Sequence, residues 1–468
     1  FLISPLSFSM IFFKILAILF LTRYVLFINV SSHYSMFPHI FQEIIHLAIG
    51  LKGWYFSIYT LICLTLHALK FAKLSWFSRS SFSHNSHNFD IIIAMNIKEE
   101  IIKLSKDIGI SKIGFTTADD FDYLEKSLRL AVEEGRNSGF EHKNIEERIK
   151  PKLSLASAKT IISIAVAYPH KLKQQPQKTA YKRGKFTPNS WGLDYHYVLQ
   201  DKLDRLAKGI EELTADFEYK GMVDTGALVD TAVARRAGIG FIGKNGLVIS
   251  KEFGSYMFLG ELITNLDIEP DQPVDYGCGD CNRCVTACPT SCLIGDGTMN
   301  AKRCLSFQTQ DKGIMDLEFR KKIKTVIYGC DICQICCPYN KGLDNPLATE
   351  IDPELAHPEL LPFLELSNGQ FKEKFGHIAG SWRGKNILQR NAIIALANAN
   401  DRSAIPKLLE IIDKGQNPIH IATAIWALGQ LVREANPEMI ELVLAVKNPT
   451  EAIKEEQAQF LKKFHLTN

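Results

Sequence analysis

The sequence predicts an α/β (α+β) domain, followed by a ferredoxin-like segment and a C-terminal all-α region. Apolar runs typical of buried strands alternate with helical patterns up to about residue 269. Ten of the eleven cysteines then crowd between Cys278 and Cys337, and beyond them a helical segment repeats after 32 residues. These observations divide the chain into residues 1–94, 95–269, 270–345 and 346–468.

Residues 1–94 differ from the rest of the chain because they are rich in Phe, Ile, Leu and Ser. The apolar run from Phe8 to Val30 holds only two charges, which is typical of a membrane anchor or a signal sequence. An ordinary initiator is available at Met95, just before a helical pattern. We therefore expect residues 1–94 to be an over-read upstream frame outside the fold, with a real hydrophobic extension as the alternative.

The segment after Met95 begins with a helix that is predicted from its capping residues. Asn96 is placed to cap the helix and Glu99 occupies the capping-box position. Two buried strands and two further helices follow, and this alternation predicts the α/β domain. These elements are predicted over Lys112–Thr117, Thr160–Tyr168, Tyr195–Leu213 and Asp230–Ala237.

The C-terminal part contains an internal repeat. The segment AIIALA at Ala392–Ala397 recurs as AIWALG at Ala424–Gly429, and each copy precedes a second apolar helix, at Ile405–Ile412 and Met439–Val446. Stacked helical hairpins of the HEAT kind give this pattern, although two copies are few and plain helical packing is the alternative.

The cysteine spacing is typical of ferredoxins that bind two [4Fe-4S] clusters. In the run Cys278-x-x-Cys281-x-x-Cys284-x-x-x-Cys288-Pro289, three sulfurs share a tight loop and the fourth is directed to a neighbouring cluster. Cys304 and the run Cys330-x-x-Cys333-x-x-x-Cys337-Pro338 complete the set. We predict that Cys278, Cys281, Cys284 and Cys337 hold one cluster, and Cys288, Cys304, Cys330 and Cys333 the other.

The spacing does not decide the roles of two cysteines or the identity of the metal. Cys292 and Cys336 are left over, and Cys336 could replace Cys337, although Pro338 favours Cys337. A pair of zinc sites is the alternative, because C-x-x-C pairs also build zinc ribbons; the C-P endings favour iron and sulfur. Such crowding in a large chain is not a disulfide framework and points to a reducing compartment, so we expect a cytoplasmic protein without a stable membrane partner.

The charge balance excludes recruitment of a nucleic acid by the overall field of the protein. The formal net charge is +3, but residues 95–468 carry 48 basic and 49 acidic side chains. A nucleic-acid partner must therefore be met by a local basic patch.

Five segments, in order along the chain, closely resemble the epoxyqueuosine reductase family. They are WGLDYHYVL (Trp191–Leu199), MVDTGALVDTAVARRAGIGFIGKN (Met222–Asn245), EFGSYMFLGELITN (Glu252–Asn265), the cysteine region with RCLSF (Arg303–Phe307), and KFGHIAGSWRGKN (Lys374–Asn386). The resemblance runs from about Met95 to the helical end of the chain.

This resemblance implies a cobalamin-dependent reduction of epoxyqueuosine to queuosine at the wobble position of tRNA anticodons. Removal of the epoxide oxygen as water takes two electrons and two protons, and two one-electron clusters can relay the electrons to cobalt. The D-x-H-x-x-G signature is absent after Asp194, which fits a family that binds cobalamin without a His on cobalt. The sequence does not identify the external electron donor, and we expect a monomer.

The resemblance also implies roles for individual residues. Asp224 matches the proton donor, and for this role we expect an apolar, partly dehydrated pocket that raises its pKa. Alternatively Asp224 caps a helix or turn. Asp230 is the rival acid nearby, but it is predicted to be the N-cap of the helix that follows. Asp194 and His196 orient the substrate or cofactor, or simply stabilise a helix. The predicted cobalamin contacts are Arg148, Asp224, Val248, Leu259, Ser306 and Asp331. Some members have Cys where this chain has Thr187, so a thiol role there is not available.

A basic run before the repeats is the predicted tRNA contact. Its members stand against a single acid, Glu373, and Trp382 lies among them, so phosphate contacts can combine with base stacking. The predicted tRNA-binding residues are Lys312, Lys372, Lys374, Arg383, Lys385 and Arg390. A solvated charged face is the alternative for this run.

Two other functions fit part of the pattern. A corrinoid enzyme of the reductive dehalogenase kind, acting on a small molecule, would share both cofactors but has no use for a basic helical tail. An iron–sulfur electron-transfer module would need neither corrinoid nor a pocket around Asp224.

Overall fold

The computed structural model describes residues 86–344 and 350–465, with side chains from Ile97 onward. Residues 1–85 lie outside the described residues, so the expectation for residues 1–94 stays a prediction. In the described ranges no helix combines the length and apolar character that a membrane crossing requires.

The described chain has eight strands and seventeen α-helices. The strands are β1 (Lys112–Thr117), β2 (Thr160–Ala167), β3 (Lys185–Phe186), β4 (Tyr219–Met222), β5 (Phe241–Ile242), β6 (Val248–Ile249), β7 (Met257–Thr264) and β8 (Val326–Tyr328). The helices up to the last cysteine are α1 (Ser86–Ile108), α2 (Glu125–Glu133), α3 (Ile145–Ile149), α4 (Tyr195–Leu213), α5 (Asp230–Arg236), α6 (Arg283–Ala287), α7 (Leu305–Gln308), α8 (Leu317–Arg320) and α9 (Ile332–Ile335). The later helices are α10 (Pro353–Ala356), α11 (Leu360–Glu365), α12 (Asn368–Phe375), α13 (Lys385–Asn398), α14 (Ile405–Lys414), α15 (Pro418–Leu431), α16 (Pro437–Leu444) and α17 (Glu451–Lys463).

A four-stranded antiparallel sheet of order β1-β2-β7-β4 forms the centre of the first domain. Every residue of β2 is buried, as its continuous apolar run predicted, because helices cover both faces of the sheet. Helix α4 packs on one face through Leu199, Leu203 and Leu206, and α5 packs on the other face through Ala232 and Val233. The antiparallel pairing makes this domain α+β rather than doubly wound.

The start of the first helix differs from the prediction. Helix α1 begins at Ser86, ahead of Asn96, so Asn96 lies within the helix and is not its cap. Residues 86–95 contain no Pro or Gly, and nothing in the local sequence stops the helix from extending toward the N-terminus.

Two small strand pairs bring the cysteine region close to the sheet domain. Strands β3 and β8 pair in parallel, so Lys185–Phe186 lies beside the segment that leads into Cys330. Strands β5 and β6 form a hairpin, and in its loop the backbone N–H of Lys244 donates to Cys278 Sγ at 3.5 Å. The sheet domain therefore contributes directly to the surroundings of the cysteines.

The repeated segments lie on two helices that pack against each other. AIIALA falls on α13 and AIWALG on α15, and almost all of these residues are buried. The predicted second helices are α14 and α16, so the helical pattern is confirmed, whereas the HEAT assignment stays a prediction. The same apolar core includes Leu305 and Phe319 of the cysteine region.

Candidate active site and cluster-binding region

Asp224 lies in a tight turn directly after β4. Its φ is +48°, in the left-handed region, and the backbone N–H of Thr225 donates to the carbonyl of Val223. Such a conformation is unusual for a residue other than Gly, and it is stabilised only where neighbouring groups hold it. The Asp224 side chain is 59% exposed, so its carboxyl group is open to solvent.

Three side chains from the start of α4 form a network with Asp224. Tyr195 donates its O–H to Asp224 Oδ2 at 2.8 Å, and His196 Nε2 lies 3.4 Å from the same oxygen. The other ring nitrogen, His196 Nδ1, lies 2.8 Å from Asp194 Oδ1. Asp194 also caps α4 by accepting from the backbone N–H of His196, which fixes the first turn of the helix.

The network reverses the expected direction of the Asp224 pKa. The hydrogen bond from His196 lowers the pKa of Asp224, and Tyr195 acts in the same direction, together outweighing burial. Hydrogen bonds to Asp194 and then Asp224 raise the pKa of His196 to about 9. The expectation of an apolar pocket that raises the Asp224 pKa is therefore wrong for this site: at neutral pH His196 carries the proton and Asp224 is a carboxylate.

This charge distribution predicts a pH-dependent stability. The pKa of His196 is about 9 in the folded chain and 6.5 in the unfolded chain. The ion pairs of protonated His196 therefore stabilise the fold fully below about pH 6.5, and this stabilisation is lost as pH rises through about 9. We expect the difference in Tm between the unmodified protein and His196→Gln to be largest near pH 6 and to shrink by about pH 10. Thermal unfolding across this range measures it, with Leu193→Ala as the control, since Leu193 is 55% exposed and carries no ionisable group. A constant difference for His196→Gln would contradict the raised pKa.

Asp230 is not the predicted helix N-cap. Val229 is the N-cap residue of α5, and Asp230 is the first residue inside the helix, where its carboxyl faces the turn that carries Asp224. Burial, and then the charge of Asp224, raise the pKa of Asp230 to about 7, while Arg148 opposes this shift. The aspartate is thus a second acid of the site.

The cysteines line two separate hollows. The first is lined by Cys278, Cys281, Cys284 and Cys337, together with Asn245, Ile249, Arg283, Pro338 and Tyr339. The second is lined by Cys288, Cys304, Cys330 and Cys333, with Cys292 and several apolar side chains. Cys336 lines neither hollow, and its Sγ lies 3.5 Å from the carbonyl of Cys333. The grouping agrees with the one predicted from spacing.

The predicted cobalamin contacts lie in several parts of the fold. Arg148 lies near Asp230, while Val248 and Leu259 belong to one apolar cluster on the face of β7 that α5 covers. Asp331 is buried and forms an ion pair with Lys185 at 2.7 Å. Ser306 lies beside Cys304 and accepts from Gln310. Thr187 is buried, and its Oγ1 lies 3.1 Å from the carbonyl of Tyr328, so this residue connects β3 to β8.

The predicted tRNA-binding set must be corrected. Arg390 is 1% exposed, and its guanidinium donates to the carbonyls of Gln308, Asp311 and Gly313. A charge enclosed in this way cannot contact a phosphate, so Arg390 has a structural role. Lys385 is half-buried and donates to the carbonyl of Leu366. Lys312, Lys372 and Lys374 are exposed.

Arg383 and Trp382 belong to an aromatic surface that also contains Phe140 and Phe307. The Arg383 guanidinium lies 4.5 Å from the Phe140 ring and 4.1 Å from the Trp382 ring, while Phe140 and Phe307 lie 5.2 Å apart. Trp382 is 50% exposed and Phe140 is 43% exposed. Phe140 comes from a loop 242 positions earlier, so no local pattern could have placed it beside Trp382.

Comparison with known proteins identifies the family. The profile described as "Epoxyqueuosine reductase QueG, DUF1730" matches residues 148–225, and that described as "4Fe-4S double cluster binding domain" matches residues 277–340. An epoxyqueuosine reductase of Lactococcus garvieae is 62% identical over 338 residues, which cover 72% of this chain and 96% of that protein. The chain belongs to the epoxyqueuosine reductase family.

Solved structures of epoxyqueuosine reductases share its fold. The enzyme from Streptococcus thermophilus is 78% identical and superposes with a TM-score of 0.77, covering 79% of this chain and 100% of that one. An epoxyqueuosine reductase solved with a tRNA-Tyr epoxyqueuosine-modified tRNA stem loop is 48% identical, with a TM-score of 0.76, and covers 80% of this chain and all of its own. The epoxyqueuosine reductase match at residues 148–225 contains Arg148, Asp194, Tyr195, His196 and Asp224. The second match makes the cysteine region an iron–sulfur domain and removes the zinc alternative.

Proposed function

We propose that this chain reduces epoxyqueuosine to queuosine at the wobble position of tRNA, with Asp224 as the proton donor. The observation that carries the proposal is the likeness to the reductase solved with an epoxyqueuosine-modified stem loop, which extends over that entire chain. The Asp194–His196–Asp224–Tyr195 network supports it, because it places two protonated neighbours beside the exposed carboxyl group of Asp224. Membership of the epoxyqueuosine reductase family favours this function over a small-molecule dehalogenase or a bare electron carrier.

Two [4Fe-4S] clusters supply the electrons in this proposal. The first hollow brings four cysteines together and the second brings five, and the Lys244 N–H directed at Cys278 Sγ is the kind of contact that stabilises a cluster sulfur. Cys278, Cys281, Cys284 and Cys337 hold the first cluster, and Cys288, Cys304, Cys330 and Cys333 hold the second. Cys292 packs against the second site and Cys336 outside the first, neither as a ligand.

The predicted cobalamin contacts combine apolar and polar side chains. Leu259 is only partly buried although it lies on β7, an inner strand of the sheet, and it packs in the same apolar cluster as Val248. A large flat cofactor with a polar rim requires apolar contacts of this kind together with polar groups such as Asp224 and Ser306. We propose that Arg148, Asp224, Val248, Leu259, Ser306 and Asp331 hold cobalamin. When bound, cobalamin supplies a strongly reducing centre that can act on the epoxide carbon.

The aromatic surface is the proposed contact for the anticodon loop. Exposed rings stack on unpaired bases, and a guanidinium held between rings adds attraction to phosphate and base. The surface lies near Asp224, because Tyr328 and Trp382 both donate to Gln310 Oε1, and burial and then the charges of Asp194 and Asp224 raise the pKa of Tyr328. We propose that Lys312, Lys372, Lys374 and Lys385 add positive charge to this contact.

Removal of the Trp382 ring is expected to weaken tRNA binding. Loss of one stacked base costs about 1–3 kcal/mol, so we expect Trp382→Ala to raise the Kd for an anticodon stem loop by roughly 5- to 150-fold. Fluorescence anisotropy at fixed salt measures this change. Tyr123→Ala is the control, since Tyr123 is 57% exposed but outside the aromatic surface. Equal Kd values for Trp382→Ala and the unmodified protein would remove the ring from the tRNA contact.

The proposed function is tested by reconstitution. The full chain is purified without oxygen, iron, sulfide and corrinoid are quantified, and the protein is incubated with an epoxyqueuosine-modified stem loop and a low-potential one-electron reductant. We expect about eight iron atoms and one corrinoid per chain and the appearance of queuosine. A fully loaded protein that leaves epoxyqueuosine unchanged would refute the proposal.

We further propose that the enzyme acts as a monomer in the cytoplasm, as its free cysteines suit a reducing compartment.

A further inference from the structure

A buried side-chain amide in the wall of the first cysteine hollow has an unused hydrogen-bond donor. Asn245 is 4% exposed, and its Nδ2 has no hydrogen-bond partner among the described residues. The same residue lines the hollow together with Cys278, Cys281, Cys284 and Cys337. Buried polar groups almost always have a partner, so an unused donor in a hollow lined by four thiols indicates an acceptor that fills the hollow. An iron–sulfur cluster fits this requirement, since its sulfurs accept hydrogen bonds.

The hairpin loop between β5 and β6 fixes which end of this amide is free. Asn245 Oδ1 accepts from the backbone N–H of Leu247 at 3.3 Å, and the backbone N–H of Gly243 donates to the carbonyl of Leu247 at 2.8 Å. Only the oxygen of a side-chain amide can accept from a backbone N–H, so the free end is the NH₂ group. A Cβ atom at Gly243 would lie 2.7 Å from Asn245 Oδ1, so the oxygen packs directly against the loop.

The same loop already directs one donor at the cysteines. The backbone N–H of Lys244 donates to Cys278 Sγ at 3.5 Å, and Lys244 Nζ donates to Asn282 Oδ1 at 3.0 Å, which anchors the loop to the cysteine segment. The rest of the wall carries no carboxylate or amide oxygen in its side chains, which belong to Ile249, Arg283, Pro338 and Tyr339. The acceptors that the filled hollow offers to the Asn245 amide are therefore sulfur atoms.

We propose that Asn245 Nδ2 donates a hydrogen bond to a sulfur of the first cluster and thereby raises the reduction potential of that cluster. This inference rests on the two clusters of the proposed function. One electron from the external reductant adds one negative charge to the cluster and its thiolates, and no proton is taken up. An N–H donor stabilises this more negative state more than the oxidised state. Asn245 therefore acts on the reaction through the cluster, by making it easier to reduce.

The reduction potential is the first readout, and it does not depend on turnover. Asn245→Asp keeps an oxygen for the Leu247 N–H but replaces the NH₂ group with a second acceptor. We expect the midpoint potential of one cluster in the cluster-loaded full chain to become more negative by at least about 59 mV, a tenfold change in the one-electron equilibrium. A redox titration followed by electron paramagnetic resonance measures this shift, with the other cluster as the internal reference.

Two further variants separate the hydrogen bond from the added charge. Asn245→Ser adds no charge and can still accept from the Leu247 N–H, so we expect a smaller shift in the same direction. Asn282 is exposed and does not line the hollow, so Asn282→Asp adds the same charge beside the same cysteines where water screens it. Its shift should be much smaller than that of Asn245→Asp. An unchanged potential in Asn245→Ser would overturn the proposal, because charge alone would then explain Asn245→Asp.

The hydrogen bond itself has a readout that needs no Asn245 variant to keep its cluster. The protein is labelled with ¹⁵N in its asparagine side-chain amides and reduced, and pulsed electron paramagnetic resonance is expected to detect a ¹⁵N nucleus coupled to a cluster. The coupling should persist in Asn282→Asp and disappear in Asn245→Ser. Its absence from the unmodified protein would overturn the proposal even if the Asn245 variants lose iron. An unmodified protein that binds no iron would overturn the proposed function instead.

Discussion

Asp224→Asn is expected to lower kcat by roughly 10²- to 10⁴-fold, the usual effect of removing a positioned general acid. The asparagine fits the same turn and still accepts from Tyr195, but it cannot be protonated by His196 across the 3.4 Å contact. Iron, sulfide and corrinoid contents should therefore equal those of the unmodified enzyme. Single-turnover conversion of the epoxyqueuosine stem loop by the pre-reduced protein isolates this step from electron supply.

Tyr195→Phe provides the matched control for Asp224→Asn. It removes one hydrogen bond to the same carboxylate but leaves both the acid and His196 in place, so a much smaller fall in kcat is expected. The Asp224 pKa should also rise, because Tyr195 is one of the groups that lower it. Full activity of Asp224→Asn would exclude this side chain as the proton donor.

Cys337→Ser is expected to remove one cluster and with it all turnover. Cys337 lines the first hollow with three other cysteines, whereas the adjacent Cys336 lies outside both hollows. We expect iron and sulfide in Cys337→Ser to fall to about half, since one [4Fe-4S] cluster has lost a thiolate ligand. Electron paramagnetic resonance of the reduced protein should then show the signal of the remaining cluster alone.

Cys336→Ser should retain both clusters and unmodified kcat. The two positions are neighbours in sequence, but Cys337 lines the first hollow and Cys336 lines neither hollow. A general effect of serine at this place in the chain would therefore be the same in both variants. Equal iron loss in both variants would mean that Cys336 shares the ligand role, which the spacing alone left open.

The grouping of the cysteines could be predicted from sequence because the information for it is local. Short C-x-x-C spacings and a following proline restrict where each sulfur can point, and the hollows group the cysteines as the spacing predicted. The strands and helices with long apolar patterns were predicted for the same reason. The start of α1 was not, because a possible cap at Asn96 does not stop a helix whose preceding residues also favour it.

The electrostatics of the site could not be predicted, because they depend on contacts distant in sequence. Asp224 contacts Tyr195, which lies 29 positions earlier in the chain. Tyr195 and His196 together reverse the expected direction of the Asp224 pKa shift. Glu261 lies in an apolar run typical of an ordinary strand, and only the structure shows that its carboxyl has no hydrogen-bond partner among the described residues. The basic run around Arg390 predicts a phosphate contact, yet Arg390 is enclosed by backbone carbonyls.

The apolar core that Leu305 and Phe319 share with α13 and α15 makes the C-terminal helices a structural part of the electron-transfer region. The buried Arg320–Glu456 ion pair, at 2.7 Å, joins the same two parts. A protein shortened before α13 would expose this core next to Cys304 and lose iron for reasons unrelated to RNA. Variants in these helices are therefore informative about tRNA selection only when their iron content equals that of the intact enzyme.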